Sequence, residues 1–291
     1  MATFVDRSLR RILSRLGLQS RYVATTIARH HVYDTGGSGA PLLCLPGLSD
    51  TAASWVPVVL SLEKRGYRVL VVESAGHGLS EQPNCEYTVD THFTSITEAL
   101  DLVLSSVEGP VLLVGNSLGG ATALHYAVKR PRAIRGLFLT SPGGGLANET
   151  VVAELRALFT TRSVRDARAF LARVLHRTTL FHTPLAYAVR AGHASRAVVE
   201  LVASLRADQD VEGIGSIAAP IHIVWGQSER LLPATSLAWY RTQLPRHATV
   251  IEPANFGHCP HLDNPFRLAT MIDAYIKAAL ETEAAPVAAA G

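Results

Sequence analysis

The segment Gly115-Asn116-Ser117-Leu118-Gly119 constrains the fold of this chain more than any other segment does. An apolar, β-branched run at residues 111–114 precedes it, and a helix-forming stretch at residues 121–129 follows it. This order predicts a strand, a sharp turn and a helix, with the serine on the turn. A strained turn of this kind leaves no room for a Cβ two residues before or after the serine, which explains both glycines.

Such a turn would hold the Ser117 hydroxyl above the edge of a sheet. The helix that begins at Leu118 would direct free N–H groups and the positive end of its dipole toward any anion that forms beside that hydroxyl. A Gly-x-Ser-x-Gly segment also occurs by chance in ordinary strand-to-helix turns. Ser117 is therefore a candidate nucleophile whose interpretation depends on a base and an acid elsewhere in the chain.

Length and composition limit the class of protein. A chain of 291 residues, 48% of them hydrophobic, can form one α/β domain with an insertion or two domains. The net charge is only +3, and six arginines face one acidic residue within the first thirty residues, so nothing beyond that segment indicates a nucleic-acid surface. Three cysteines without a C-x-x-C motif favour neither a disulfide framework nor a zinc site. Without the pattern of a signal peptide or a membrane span, we expect a cytoplasmic protein.

Short apolar runs alternate with helical patterns along most of the chain. The predicted strands are residues 41–45, 68–72, 111–114, 134–139, 221–225 and 249–251. The predicted helices between and after them are residues 52–65, 91–107, 118–129, 234–243 and 265–280. This alternation predicts an α/β fold with a mostly parallel central sheet flanked by helices. An alternating stretch at residues 22–33, followed by a glycine-rich turn, predicts a leading antiparallel strand.

The alternation is interrupted once. Residues 145–211 contain no strand signal, and helical periodicity at residues 151–159, 164–175 and 185–205 predicts a helical cap inserted between core strands. The predicted domains are an N-terminal basic amphipathic helix at 1–20, a core at 21–144 and 212–282, the cap at 145–211 and a disordered tail at 283–291. The N-terminal helix could contact an anionic membrane surface weakly, or it could dock on the body of the protein.

A serine hydroxyl needs a base within hydrogen-bond reach and an acid that orients the base. Glu229 follows the predicted strand at 221–225, and His258 follows the last predicted strand. Because ligands and chemistry in α/β sheets gather at the carboxyl ends of the strands, we expect both side chains near Ser117. Asp208 and Asp210 are the alternatives to Glu229 as the acid.

These residues make the chain similar to the serine hydrolases of the α/β-hydrolase fold, from about Tyr22 to Leu280. Besides the Ser117 and His258 segments, the sequence Glu-Ser-Ala-Gly-His-Gly-Leu-Ser at 73–80 resembles the D-x-x-G-H-G-x-S loop of that family. Pro-Gly-Leu at 46–48 stands where the family often has His-Gly-x. The resemblance implies that the backbone N–H groups of Leu48 and Leu118 form an oxyanion hole. Glu73, Pro46 and Glu229 depart from the residues most common in the family.

Within the family, two groups are most similar. The Ser117 segment, followed by Ser-Pro-Gly-Gly-Gly at 141–145, resembles carbon–carbon hydrolases of meta-cleavage products, but those relatives have a glycine-rich oxyanion loop and a Trp after the histidine. The N-terminal arrangement resembles monoacylglycerol-lipase-like esterases. The resemblance therefore implies an esterase or lipase that acts on apolar, small to medium acyl esters through an acyl-enzyme on Ser117, without metal or organic cofactor. A carbon–carbon hydrolase is the alternative.

A non-catalytic binding protein of the same fold is an alternative of another class, and an acyltransferase would use the same three side chains. The oligomeric state is unknown from sequence. Cys259, beside His258, lacks the surrounding turn of a nucleophile and is interpreted as packing. His261 is expected at the pocket rim or in solvent.

Overall fold

The computed structural model describes residues 10–284 except 12, 16, 180 and 181, with side chains through residue 279. One eight-stranded sheet has the order β1-β2-β4-β3-β5-β6-β7-β8. β1 and β2 pair antiparallel, β2 pairs antiparallel with β4, and the remaining neighbours are parallel. The strands are Gln19–Ala24 (β1), Arg29–Asp34 (β2), Pro41–Leu45 (β3), Arg68–Val72 (β4), Val111–Asn116 (β5), Ile134–Thr140 (β6), Ile221–Val224 (β7) and Thr249–Ile251 (β8).

Helices connect the parallel strands. They are Ala52–Glu63 (α1), Val89–Leu104 (α2), Leu118–Lys129 (α3), Glu149–Leu158 (α4), Val164–Val174 (α5), Thr183–His193 (α6), Arg196–Ser204 (α7), Ala234–Gln243 (α8), Pro260–Asp263 (α9) and Pro265–Ala284 (α10). Single 3₁₀ turns lie at Pro131–Ala133 and Ile214–Ser216. The prediction of a mostly parallel sheet flanked by helices is confirmed. Helices α4–α7 lie between β6 and β7, within the segment predicted as a cap.

The sheet is buried on both faces, which is why its parallel strands are nearly continuous apolar runs. In β3, Leu43 and Leu45 pack with α2, α3 and α8, whereas Leu42 and Cys44 face α1 and α10. Successive side chains of a strand point to opposite faces, so one five-residue strand contributes to both cores. This packing fixes the carboxyl ends of β3, β5, β6, β7 and β8 at one edge of the sheet.

Two local predictions differ from the structure. The stretch predicted as one leading strand is a hairpin of β1 and β2, because Thr25 closes a tight turn through its backbone N–H and its hydroxyl, both bonded to the Ala28 carbonyl. The helix predicted at residues 185–205 is two helices, α6 and α7. It breaks at Ser195, which has an extended backbone conformation and donates its hydroxyl to the Gly76 carbonyl.

The structure describes part of each predicted terminal segment. Arg10, Arg11 and Arg15 are exposed and helical, while Leu13 is 1% exposed and packs into the core with Trp55. Within the predicted N-terminal helix at 1–20, residues 1–9, 12 and 16 lie outside the described residues, and residues 19 and 20 belong to β1. Helix α10 continues to residue 284, two residues beyond the predicted end of the core, and residues 285–291 also lie outside the described part. None of the helices within the described residues has the length and apolar character to span a membrane.

Candidate active site

Ser117 stands at the turn between β5 and α3, with φ +53° and ψ −120°. This conformation is strained for any residue with a Cβ and is typical of functional turns. A Cβ at Gly119 would overlap the Leu45 carbonyl oxygen, and a Cβ at Gly115 would lie 2.5 Å from the Gly119 carbonyl oxygen. Both neighbours of the turn must therefore be glycine, as the sequence predicts.

The backbone of Ser117 is fixed while its hydroxyl is left free. Its N–H donates to the Thr140 carbonyl at 3.1 Å, and its own carbonyl accepts from Gly143 N–H at 2.9 Å and from two amides of α3. The side chain lines a cavity. Its Oγ has no hydrogen-bond partner anywhere in the part of the chain that the structure describes, so it is available to a bound molecule.

Two residues with candidate oxyanion amides, Leu48 and Leu118, line the same cavity. Leu118 is the first residue of α3, and Leu48 lies on the loop after β3. The two loops are adjacent, since a Cβ built on Gly47 would lie 3.2 Å from the Ser117 Cβ. Neither the Leu48 nor the Leu118 N–H donates a hydrogen bond to the described residues. Free N–H groups at a helix N-terminus favour an anion.

Glu229 and His258 form a buried pair on the loops after β7 and β8. The Oε2 atom of Glu229 lies 2.7 Å from Nδ1 of His258, and both side chains are less than 5% exposed. The Oε1 atom accepts the N–H groups of Leu231 at 2.7 Å and Leu232 at 3.0 Å. Burial raises the pKa of Glu229, but attraction to His258 and these hydrogen bonds outweigh it, so the pKa lies below its ordinary value. The carboxylate is thereby held ionised and fixed toward the imidazole.

The two alternative acids lie elsewhere. Asp208 has a side chain that is 75% exposed and pairs with Arg206, its Oδ1 2.9 Å from the Arg206 Nε. Asp210 borders the cavity, where it accepts the Gly145 N–H at 2.6 Å, and burial raises its pKa. Of the three carboxylates that the sequence offered, Glu229 is the one that contacts His258.

Asn116 connects the serine turn to the histidine loop, a role that the sequence analysis missed. Its side-chain amide donates to the His258 carbonyl at 2.8 Å and to both the carbonyl and hydroxyl of Thr140 at 3.0 Å. These bonds hold the backbone of His258 beside the residue that precedes Ser117. An amide side chain that ends an otherwise apolar strand is the signal that could have identified it.

The hydroxyl of Ser117 and the ring of His258 are not joined by a hydrogen bond in the described structure. Catalytic hydrogen bonds are often long without substrate and tighten when a complex forms. The strained turn, the buried carboxylate–imidazole pair and the two free amides nevertheless converge at one edge of the sheet.

Cys259 is held away from this chemistry. Its N–H donates to the Val174 carbonyl at 3.0 Å, and its Sγ lies 3.9 Å from the Asn116 Oδ1. Burial raises the pKa of the Cys259 thiol well above its ordinary value. A thiol that stays protonated is a poor nucleophile, in agreement with its interpretation as packing.

Glu73 has a structural role that explains its place in the loop after β4. Its Oε1 accepts the Ala52 N–H, and its Oε2 accepts the Leu79 N–H, each at 2.9 Å. The His31 Nδ1 lies 3.1 Å from Oε2. A Cβ at Gly78 would overlap this carboxylate, which therefore fills the space above that glycine. Glu73 ties the loop to β2 and to the start of α1.

His261 differs from its prediction. Its place in the sequence predicts the pocket rim or solvent, but it is 1% exposed and its ring stacks on Trp55, with centroids 4.5 Å apart. The expectation was wrong because a histidine in the polar segment after β8 was assumed to remain near solvent, whereas α9 turns this side chain into the core.

The cavity beside Ser117 has a volume of about 90 Å³ and is mostly apolar. Core loops and helices α4 and α7 both contribute to it. Its apolar lining includes Leu48, Phe93, Leu146, Leu155, Phe159, Leu201 and Leu231, and its polar side chains are Ser117, Arg206, Gln209 and Asp210. The space admits the apolar part of a small molecule next to the serine.

Comparison with known proteins gives a consistent result. The model of the alpha/beta hydrolase family matches residues 42–271. A 2-hydroxy-6-oxononadienedioate/2-hydroxy-6-oxononatrienedioate hydrolase of Burkholderia vietnamiensis is 26% identical over 256 residues, which cover 81% of this chain and 85% of the relative. A pimeloyl-[acyl-carrier protein] methyl ester esterase of Nitrosomonas europaea is 24% identical over 260 residues, covering 83% and 97%.

A solved structure supports the fold. The carboxylesterase of Bacillus subtilis superimposes with a TM-score of 0.77 and 18% identity, covering 94% of this chain and 96% of that one. At this level of identity the likeness concerns the fold alone.

Proposed function

The chain belongs to the alpha/beta hydrolase family, and on that premise we propose that it is a serine hydrolase that cleaves carboxylic esters through an acyl-enzyme on Ser117. The observation that carries the proposal is the buried pair of Glu229 and His258, 2.7 Å apart, on the loops beside a strained serine turn. A carboxylate that fixes an imidazole next to an activated hydroxyl is the arrangement that serine hydrolysis requires.

In the proposed reaction, the Ser117 Oγ attacks the ester carbonyl carbon while its proton passes to Nε2 of His258. The Leu48 and Leu118 N–H groups donate to the oxyanion that forms. Glu229 accepts the Nδ1 proton, which fixes the tautomer and stabilises the imidazolium. His258 then returns the proton to the leaving alcohol and activates water, which releases the acid and frees Ser117. These steps need no metal or organic cofactor.

The lining of the cavity supports an apolar acyl or alcohol group as the part of the substrate held beside Ser117. Each buried methylene contributes about 0.8 kcal/mol to binding, so a mostly apolar wall favours apolar esters. The ester named for the Nitrosomonas europaea relative is compatible with this chemistry.

A carbon–carbon hydrolase is the second candidate, supported by the 26% identity to the Burkholderia vietnamiensis hydrolase. The same serine, imidazole and carboxylate would serve it. Against it, Cys259 follows His258 where the meta-cleavage hydrolases have tryptophan, and the loop at 46–50 has a single glycine, Gly47, where those hydrolases have a glycine-rich loop.

The location and surface contacts are also proposals. We propose a cytoplasmic protein, supported by three unpaired cysteines, and a weak contact of the N-terminal segment with anionic membranes. Arg10, Arg11 and Arg15 are exposed, while Leu13 is buried against the body, so the contact would be electrostatic rather than insertion. Co-sedimentation with anionic vesicles at low salt, but not with neutral vesicles, would support the electrostatic membrane contact. Equal binding to both kinds of vesicle would contradict it.

The main experiment compares wild type, Ser117→Ala and Ser106→Ala on p-nitrophenyl esters from acetate to long acyl chains. Ser106 is an exposed serine on the surface and serves as the matched control. We expect turnover to disappear in Ser117→Ala alone, and we expect a fluorophosphonate to label wild type but not Ser117→Ala. Full turnover in Ser117→Ala would refute the serine mechanism. Wild type inactive on every ester but active on a ring-fission dienoate would favour the carbon–carbon hydrolase, and inactivity on both would favour a binding protein.

A further inference from the structure

A second aspartate–histidine pair lies behind the loop that carries Leu48. The Asp50 Oδ2 atom lies 3.2 Å from Nε2 of His261, whose side chain is fully buried. Asp50 follows Leu48 by two residues, and His261 follows His258 by three. The contact therefore joins the loop of one proposed oxyanion donor to the loop of the proposed general base, although neither Asp50 nor His261 takes part in the reaction described above.

The loop that carries Leu48 is a strained turn. Its ends are closed by a hydrogen bond from the Asp50 N–H to the Gly47 carbonyl at 3.1 Å, and Ser49 has a φ of +60°. A left-handed conformation in a residue other than glycine costs on the order of 1 kcal/mol or more and persists only when surrounding contacts enforce it. The direction of the Leu48 N–H thus depends on what holds the turn.

The side chain of Asp50 supplies those contacts. Its Oδ1 accepts the Thr51 N–H at 2.8 Å and the Ser54 hydroxyl at 2.6 Å, and its Oδ2 accepts the Trp55 indole N–H at 3.1 Å. Burial raises the pKa of Asp50, but His261 and these donors outweigh burial, so the pKa lies below its ordinary value. A charged carboxylate therefore anchors the turn to the start of α1.

His261 completes this anchor from the other side. Its ring lies nearly parallel to the indole of Trp55, at an interplanar angle of 11° and a centroid distance of 4.5 Å. The ring therefore covers Trp55, whose indole N–H donates to Asp50, while its Nε2 faces the Asp50 Oδ2 that accepts this hydrogen bond. Neither ring nitrogen makes a hydrogen bond of full geometry within the described residues: Nε2 lies 3.2 Å from the Asp50 Oδ2, and Nδ1 faces no partner. Burying an unpartnered ring nitrogen costs about 1–3 kcal/mol, so an apolar side chain would fill this position with less cost to stability. The position of the ring is better explained by its contacts with Trp55 and Asp50, which hold the turn that carries Leu48.

We propose that Asp50 and His261 are positioning residues, which hold the strained turn so that the Leu48 N–H points at the oxyanion and couple that turn to the loop of His258. The inference rests on the proposed serine hydrolase function and extends it. Neither residue touches the reacting atoms. Loss of the pair relaxes Ser49 toward an ordinary conformation, and the Leu48 N–H turns away from the cavity.

The test uses two substitutions at one position. His261→Phe keeps a ring against Trp55 but removes the nitrogen that faces Asp50, whereas His261→Gln can place an amide N–H where Nε2 lies. Removing one oxyanion donor typically lowers kcat by about 10²–10³-fold. We therefore expect a misdirected donor in His261→Phe to lower kcat by about 10- to 100-fold with KM within about threefold, and His261→Gln to recover most of the loss.

A transition-state readout separates positioning from general damage. The affinity for an alkyl boronic acid, which forms a tetrahedral adduct on the serine, should fall in His261→Phe by the same factor as kcat/KM. His30→Gln is the control for losing a buried histidine, because His30 lies on β2 and its ring bonds to the Ser95 hydroxyl of α2 and to the Glu73 carbonyl. It should lower the melting temperature and leave kcat near the wild-type value.

Each outcome has a distinct meaning. A lower melting temperature in His261→Phe with kcat and boronate affinity unchanged would show that the pair only packs, and would overturn the proposal. If His261→Phe does not fold, Trp55→Phe keeps an aromatic ring beside His261 while it removes the indole N–H donor to Asp50 and part of the buried ring, and it carries the same expectation. Ser117→Ala is measured alongside: its full activity would refute the proposed function and this inference together, whereas its inactivity beside a fully active His261→Phe would refute the positioning role alone.

Discussion

Replacing Glu229 by glutamine is expected to lower turnover by several orders of magnitude, because it places the proton of His258 on the wrong nitrogen. The Oε1 atom of Glu229 accepts two backbone N–H groups, from Leu231 and Leu232. Only the carbonyl oxygen of a glutamine can take that position, since an amide nitrogen cannot accept. The amide NH₂ is then forced toward Nδ1 of His258, 2.7 Å away in the wild type.

Facing a donor, Nδ1 must become the acceptor, and the single ring proton moves to Nε2. A protonated Nε2 cannot take the proton of Ser117. The corresponding change in a serine protease lowers kcat by roughly 10⁴-fold. At about 1.36 kcal/mol per tenfold, a loss of 10³–10⁴-fold is about 4–5.5 kcal/mol of transition-state stabilisation.

The assay is kcat on the p-nitrophenyl ester that wild type cleaves best, with the melting temperature of each variant measured in the same buffer. Asp208→Asn is the matched control, because Asp208 is exposed and pairs with Arg206. It should keep the wild-type rate. A Glu229→Gln variant that folds and keeps kcat within tenfold of wild type would refute this reasoning, and an equally large loss in Asp210→Asn would move the role of the acid to Asp210.

Two further predictions concern the fold. Gly119→Ala should abolish activity and lower the free energy of unfolding by several kcal/mol, because its Cβ would overlap the Leu45 carbonyl. Gly143→Ala is the control, since its Cβ would meet ordinary contacts at 3.6 Å. It should lower the free energy of unfolding, measured with denaturant, by less than about 1 kcal/mol. Burial lowers the pKa of His30 to about 4 and of His92 to about 3, from 6.5. Below pH 6.5 the unfolded chain therefore binds more protons than the folded chain. As the pH is lowered from 6.5 to the pKa of the folded state, the free energy of unfolding should fall by up to about 1.4 kcal/mol per pH unit for each histidine. A melting temperature constant from pH 7 to 5 would contradict this.

The parallel part of the sheet was predictable because local sequence and tertiary environment agree there. The runs at residues 41–45 and 68–72 are apolar at every buried position and coincide with β3 and β4. The hairpin of β1 and β2 and the break between α6 and α7 were not predicted. Both involve the contacts of one hydroxyl residue, Thr25 or Ser195, which no periodicity in the sequence reveals.

The candidate site was predictable in its chemistry and less so in its support. Ser117, Glu229 and His258 follow strands whose carboxyl ends share one edge, so their residue types and chain order were sufficient to select them. Asn116 was overlooked and His261 was misplaced, because their partners come from separate loops. Alternation and motif spacing carry no information about which loop will cover which side chain.

The sequence by itself determined the class of fold, the serine turn with its two obligatory glycines, and the set of candidate residues for the proposed hydrolysis. These follow from local sterics and from the burial pattern of each strand. Only the tertiary structure decided that Glu229 rather than Asp208 or Asp210 faces His258, and that Asp50 meets His261 behind the Leu48 turn. Those contacts join residues far apart in the chain, and their distances are set by how loops pack once the sheet has brought its strand ends together.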